Sequence, residues 1–387
     1  MMMQSRQRSP PPTPAQTTTT ALINPAPAAA SSRTTYTYTR HPDLWFTDGS
    51  IVLKADSVIF RVHMSILSRH SVFFRDMFSL PQPPQPSSSS CTQDEVLEGC
   101  PLITLQDSPD DLASLLVALY DGTIFGDNGR EDFKVVAGIL RLSSKYMVDS
   151  LRAKALAHLT EAWPPTLKGW DAREDRARSH EQETGAGRGL LYPSPIEVIN
   201  LAREINAPGL LPSAFYDLSR YHYTQIFEPL EDDPLYPRDP CRGQLSPSDM
   251  QKLALGKESS ARFITSLIQS MSAPSPNAHM VMAAATPHHR RTQSHTKSSG
   301  STSSVCMSIS ACRKDFSELV ELATQHYLFD REKGCSDPLY VAEELGQLKS
   351  AEFESECLAC AKSLEAWAGR ERERMWRLIP GWFRLDQ

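Results

Sequence analysis

The sequence predicts an α+β fold followed by mainly α-helical C-terminal regions with disordered tracts. Three observations carry this. In "GSIVLKAD" and "SVIFRVH" apolar and polar residues alternate, Ile51, Leu53 and Ala55 against Ser50, Lys54 and Asp56, around the turn-forming "KADS", which is the pattern of a hairpin. After His63 the period changes: Ile66, Leu67, Phe73, Phe74, Met77 and Phe78 recur at spacings of three, four and seven, as on helices. Between the patterned stretches lie Pro-, Ser- and Thr-rich tracts with no apolar periodicity, which cannot bury enough surface to offset their ordering entropy.

The elements follow in order. Residues 1–40 read as a disordered tail. They lack the charged start and apolar run of a secretory signal, and their Ser/Thr-rich composition lacks the amphipathic pattern of a transit peptide. Order begins near "HPDLWFTDGSIVLKAD". After the hairpin, Ser71 stands between two apolar groups, where a hydroxyl can cap a second helix. A Pro/Ser insert at 81–99 interrupts the pattern, and a polar insertion of this kind costs little loop-closure entropy. "PLITLQD" then reads as a strand. In "SPDDLASLLVALYDG" Ser108 is placed to cap a helix, Pro109 suits its first position, and Asp110 and Asp111 suit its positive end. Leu112, Leu115, Leu116 and Leu119 form one apolar face, and Gly122 stops the helix. From Phe133 two further helices carry apolar faces through Val136, Ala137 and Leu140, then Met147, Leu151 and Leu156.

Beyond this domain, set at 41–165, the charged run "DAREDRARSHEQETGAGRG" marks 166–192 as a solvated linker. A helical extension is expected over 193–271, a disordered Ser/His-rich linker over 272–305, and a helical C-terminal module over 306–387. In that module Trp367, Met375, Trp376 and Ile379 fall near one another on a helix with Arg and Glu on its wet side. Core packing is the expectation for them, and a partner-docking face is the alternative.

The run Phe60-x-x-His63-x-x-x-Leu67-x-x-x-Ser71-x-x-Phe74-x-x-Met77-Phe78, followed by a helix ending in "LYDG", resembles the BTB/POZ domain motif F-x-x-H-x-x-x-L-x-x-x-S-x-x-F-x-x-x-F. The preceding "WFTDGSIVL", with Asp48 and Gly49, and the later "VINLAREINAPGLLPSAFYDLSRY" are similar to the expanded group of BTB proteins in mushroom-forming fungi. The resemblance implies a small mixed sheet flanked by a cluster of helices. It implies that His63 packs at the strand-to-helix joint with its ring hydrogen-bonded, and a local backbone partner is expected. It also implies a homodimer or heterodimer formed through the N-terminal strand and first helices. Trp45, Phe46, Met64, Asp111 and Tyr120 are the candidate partner face, with core packing the alternative for Trp45, Phe46 and Met64. Family adaptors that bind a cullin carry a φ-x-E element at the start of the helix represented here by "SPDDLASLL". This chain has Asp110 and Asp111 there, with Pro109 two positions before Asp111, which counts against cullin as a partner.

The sequence has no Gly-rich phosphate loop, no H-E-x-x-H and no G-x-S-x-G, and the carboxylates of "EDDPLYPRD" read as solvated charge in a Pro-broken loop. The chain is therefore assigned no catalytic residues, no cofactor and no metal. Without a run of about 18 apolar residues no membrane span is expected, and a net charge of -6 argues against nucleic acid. The basic "TPHHRRTQSHTK" reads as linker, with Ser294 a possible kinase target. Eight Cys in a long chain without a secretory signal fit reduced thiols in the cytoplasm or nucleus. One question stays open: Cys306-x5-Cys312 and Cys357-x2-Cys360 supply four thiols that can hold a tetrahedral zinc, or they face a helical core. The function expected is protein–protein interaction: a self-associating BTB protein acting as a cullin-ligase substrate adaptor or, alternatively, a dimerising scaffold or transcription-associated regulator without ligase function. A metal-stabilised C-terminal binding module is the further alternative.

Overall fold

The computed structural model describes residues 38–80, 96–185, 187–236, 243–272, 306, 308–329, 336–351 and 357–386. The expected disordered stretches 1–37, 81–95 and 273–305, and Ser294 with them, lie outside the described residues. The chain divides into two compact units: one runs to Gly126 and includes Lys134–Ala157, and the other comprises Asp127–Phe133 and the chain from His158 onward.

The first unit is the expected α+β fold. Strands β2 (Ile51–Ala55) and β3 (Val58–Val62) form the hairpin, antiparallel, with Asp56 at positive φ in the turn. β5 (Cys100–Leu105) lies parallel to β2. Two strands have no alternating pattern to mark them in the sequence. β1 (Thr39–Trp45) pairs parallel with β3 at one edge, so order begins at the end of the supposed tail, where Tyr38 is already buried. β4 (Val96–Leu97) pairs antiparallel with β5 at the other edge, so the last residues of the insert belong to the sheet. The order is β1-β3-β2-β5-β4, a mixed five-stranded sheet.

Helices α1 (Met64–His70) and α2 (Val72–Ser79) follow the hairpin directly. They are separate because Ser71 leaves helical geometry and caps α2: its Oγ accepts from the Phe74 backbone N–H at 3.0 Å and donates to the Tyr146 carbonyl at 2.6 Å. α3 (Pro109–Tyr120) starts with Pro109 as expected and buries Leu112, Leu115, Leu116 and Leu119. Ser108 holds the cap position, but its side chain makes no capping hydrogen bond, which corrects the expectation for that residue. Gly122, at φ 88°, takes the left-handed conformation that ends the run. α4 (Arg130–Lys145) and α5 (Asp149–Ala162) complete the segment.

The second unit is helical. The expected linker is in fact α6 (Leu167–Thr184), which buries Leu167, Trp170, Arg173 and Ala177, is capped by the Thr166 side chain and is closed by Gly185 at φ 72°. Its apolar stripe is narrow and includes a charged residue, so composition alone reads it as solvated. There follow α7 (Pro195–Glu204), α8 (Leu211–Ser219), α9 (Tyr223–Phe227), α10 (Pro247–Ser272), α11 (Ile309–Thr324), α12 (Pro338–Ala351) and α13 (Leu358–Trp382). The extension and the C-terminal module are thus parts of one unit. On α13 Met375, Trp376 and Ile379 are buried and Trp367 half-buried; the Trp376 indole donates to the Pro165 carbonyl at 2.8 Å, so these residues build a core. Among the described residues no helix is long and apolar enough to cross a membrane.

Candidate functional site

The motif residues run from β3 through α1 to α2. Phe60 and Leu67 are buried in the core, Phe74 stacks on Tyr146 and Phe78, and Met77 and Phe78 are half-buried. Gly49 is buried, donates to the Phe46 carbonyl at 3.0 Å and accepts from the Arg61 guanidinium at 3.0 Å; a Cβ there would meet both neighbours. His63 does not find the expected local backbone partner for its ring. Its Nδ1 lies 2.8 Å from the Tyr120 hydroxyl, and its Nε2 lies 3.3 Å from the exposed Asp48 carboxylate. The backbone N–H of His63 donates to the same hydroxyl at 2.9 Å. The arrangement that uses every proton has Tyr120 donating to Nδ1 and the Nε2–H donating to Asp48. The bond to His63 holds the Asp48 carboxyl below the usual carboxylate range, and burial pushes the Tyr120 phenol up.

Of the candidate partner face, Phe46 stacks on Tyr120 at 4.6 Å, Trp45 carries the Arg40 guanidinium over its ring at 4.4 Å, and Met64 is half-buried at the start of α1. Phe46, Met64 and Tyr120 thus flank the joint, whereas Trp45 packs against the cluster of Tyr38, Val52, Ile59, Leu97 and Cys100. Asp111 is different: it is turned toward α4, 3.3 Å from Arg141, with Gly138 packed against it, so most of its side chain is covered. Its neighbour Asp110 is the exposed carboxylate of that turn.

The second unit holds a charged centre that the sequence reading missed. The Arg173 guanidinium lies 4.4–4.7 Å from the ring centres of Trp163, Trp170 and Tyr192, and bonds Glu174 at 2.7 Å and Asp217 at 2.9 Å. Arg220 bridges Glu174, Asp217 and Asp337 at 3.0–3.3 Å. Tyr216, fully buried, donates to Asp337 at 2.5 Å, and burial first, then that carboxylate, pushes its phenol far up. Trp170, Arg173, Glu174, Asp217, Arg220 and Asp337 line a cleft of about 660 Å³. Its opposite charges pair with one another, which makes the network a structural one. The signal that could have found it is the spacing of Leu167, Trp170 and Ala177, which is helical within a charged run.

The same unit brings together the four cysteines left open above. Cys306 precedes the Ser308 cap of α11 and Cys312 lies in its first turn; Cys357 is the cap of α13 and Cys360 lies in its first turn. Their sulfurs all lie within 4.8 Å of one another, with Cys306 3.6 Å from Cys312 and 3.7 Å from Cys360. Cys312 and Cys357 are buried, and Cys306 and Cys360 half-buried. Burial first, then the neighbouring thiols, push the Cys360 thiol up, and Cys312 is raised likewise. The expectation of no metal therefore meets a set of four donors made only of sulfur, all within 4.8 Å of one another.

Compared with known proteins, residues 43–162 match the family model of the BTB/POZ domain. None of the curated proteins matches the chain. A BTB/POZ domain is thus present in the chain, and domains of this kind mediate protein–protein interaction and dimerisation.

Proposed function

We propose that this chain is a non-enzymatic interaction protein of the cytoplasm or nucleus whose BTB/POZ domain joins two copies into a dimer, with the helical regions from residue 193 onward presenting a surface to further partners. The observation that carries the reading is the family match over 43–162. Two features of the first unit support it. β1 is an edge strand of the sheet, and an edge offers backbone donors and acceptors to a second strand. Trp45 lies on that edge strand, and Phe46 and Met64 add partly exposed apolar surface at the joint with α1.

Scaffolding is favoured over the cullin-adaptor reading. Asp111 stands near where the adaptor motif carries Glu, and its pairing with Arg141 draws it away from a partner. Kinship with the fungal BTB group rests on "WFTDGSIVL" and the segment after Ile196 and is part of this proposal. The test is sedimentation velocity of the full chain over a micromolar concentration range, with Met64→Glu as the variant. The expected result is a dimer whose dissociation constant rises at least about tenfold in the variant. A wild-type chain that stays monomeric, or a variant that dimerises equally well, contradicts the proposal. Titration with the N-terminal domain of a cullin separates the two mechanisms: no binding by a folded dimer fits the scaffold, and micromolar binding replaces it with the adaptor.

A further inference from the structure

Four sulfurs from two places 54 residues apart in the chain meet at one point, at the N-terminal ends of α11 and α13. Two ordinary explanations fail on geometry. A disulfide needs sulfurs about 2.0 Å apart, and the pairs Cys306–Cys312 and Cys360–Cys306 stand at 3.6 Å and 3.7 Å. Packing as small apolar side chains gives no reason for four thiols to point at a common centre, two of them only half-buried. A tetrahedral ion does. With metal–sulfur bonds of about 2.3 Å, ligand sulfurs of a regular tetrahedron lie about 3.8 Å apart. The two distances given match that edge.

The local folding explains why the unusual spacing works. C-x2-C spans a helix start in the ordinary way, with Cys357 as the cap and Cys360 in the first turn; the N–H of Cys360 bonds the Cys357 carbonyl at 3.1 Å. C-x5-C is wider than a zinc knuckle, but a helix start lies inside it: Cys306 sits before the cap, and the N–H of Cys312 bonds the Ser308 carbonyl at 3.0 Å. Each pair therefore brings its two cysteines to the start of a helix.

We propose that Cys306, Cys312, Cys357 and Cys360 bind a structural zinc ion that clips the start of α11 to the start of α13. All four positions are protein sulfur, which leaves no open coordination position and suits a structural rather than a catalytic ion. Each sulfur coordinates as thiolate, so binding one Zn²⁺ to four thiols releases four protons to solvent and leaves the site with a charge of 2−. No oxidant or reductant takes part. An all-sulfur tetrahedron also accommodates iron, and the test separates the two.

The experiment is elemental analysis of the full chain, purified under reducing conditions without chelator, for wild type, Cys357→Ser, Cys360→Ser and Cys100→Ala. Cys100 belongs to the first unit and bonds the Gly49 carbonyl, so its variant is the control. The expected result is about one zinc per chain in wild type and Cys100→Ala and less than about 0.2 in the other two. Should a serine variant fail to fold, the wild-type chain answers alone: cobalt added after zinc removal gives the intense visible absorption of a tetrahedral tetrathiolate. Wild-type zinc below about 0.2 per chain, iron in its place, or zinc retained in both folded serine variants overturns the proposal.

Discussion

The two units are held by different kinds of interaction. In the first, polar groups sit in small sets at the seams of an apolar core: Ser71 caps α2 and reaches Tyr146, Tyr120 closes the joint at His63, and Asp111 pairs with Arg141. In the second, charge is buried in bulk, Arg173 among three aromatic rings and Arg220 among three carboxylates, and the same unit holds a cluster of four thiols. A lone polar seam needs one partner and tolerates changes elsewhere. A buried network fails as a unit, because removing one charge strands the others. The first unit should therefore lose stability in small steps, and the second in large ones.

The largest step is expected at Arg173. Its side chain is 4% exposed and its partners are fixed, so Arg173→Ala should cost about 3–5 kcal/mol. Arg173→Lys should recover only part, because a compact ammonium cannot reproduce the planar stacking on three rings. Chemical denaturation of both variants reads this directly; a cost for Arg173→Ala below about 1 kcal/mol would place the cage outside the stability of the unit.

Gly256→Ala comes next. A Cβ on α10 would collide with the buried Phe383 ring, and overpacking of this kind costs about 1–3 kcal/mol. In the first unit Tyr120→Phe keeps the stacking on Phe46 but leaves the His63 N–H and ring nitrogen without that hydroxyl, an expected loss of about 1–3 kcal/mol at most. If Tyr120→Phe proves costlier than Arg173→Ala, the contrast between the units is wrong.

Acid should sharpen the contrast. Burial alone would raise the Glu174 carboxyl, but Arg220 and then Arg173 hold it below its ordinary value. A carboxylate lowered in the folded state contributes stability that is complete above its unfolded pKa and is lost as pH falls through the folded value. The second unit should thus weaken as pH drops through and below the ordinary carboxylate range, which thermal melts at stepped pH would show. The smallest effect is at Lys257, whose ammonium bonds the carbonyls of Ser219 and Tyr221; burial lowers it to about 8. Carbon-13 methylation with NMR titration should find one lysine near that value, well below the ordinary figure of about 10.4.

How much of this was legible in the sequence follows the range of the interactions. The hairpin, the paired helices and the Ser71 cap depend on neighbours within a few residues, and alternation and periodicity expose them. The His63 ring partner was misjudged because Tyr120 lies 57 residues away, where no local rule reaches. α6 was read as linker because a helix whose buried stripe contains Arg173 has the composition of a solvated one. β1 and β4 were missed at the margins of low-complexity tracts, where Pro42 and the short β4 carry little strand signal. The cysteines were legible as two pairs, but the spacing of Cys306 and Cys312 argued against a site until the start of α11 was seen to lie between them.

The measurement that tests the contrast most directly is hydrogen exchange of the full chain, read by peptide mass spectrometry with and without excess metal chelator. The account predicts that chelator strips protection from 309–324 and 358–382, while 51–62 and 109–120 keep theirs. Unchanged protection in the C-terminal helices, or equal loss in both units, would contradict it.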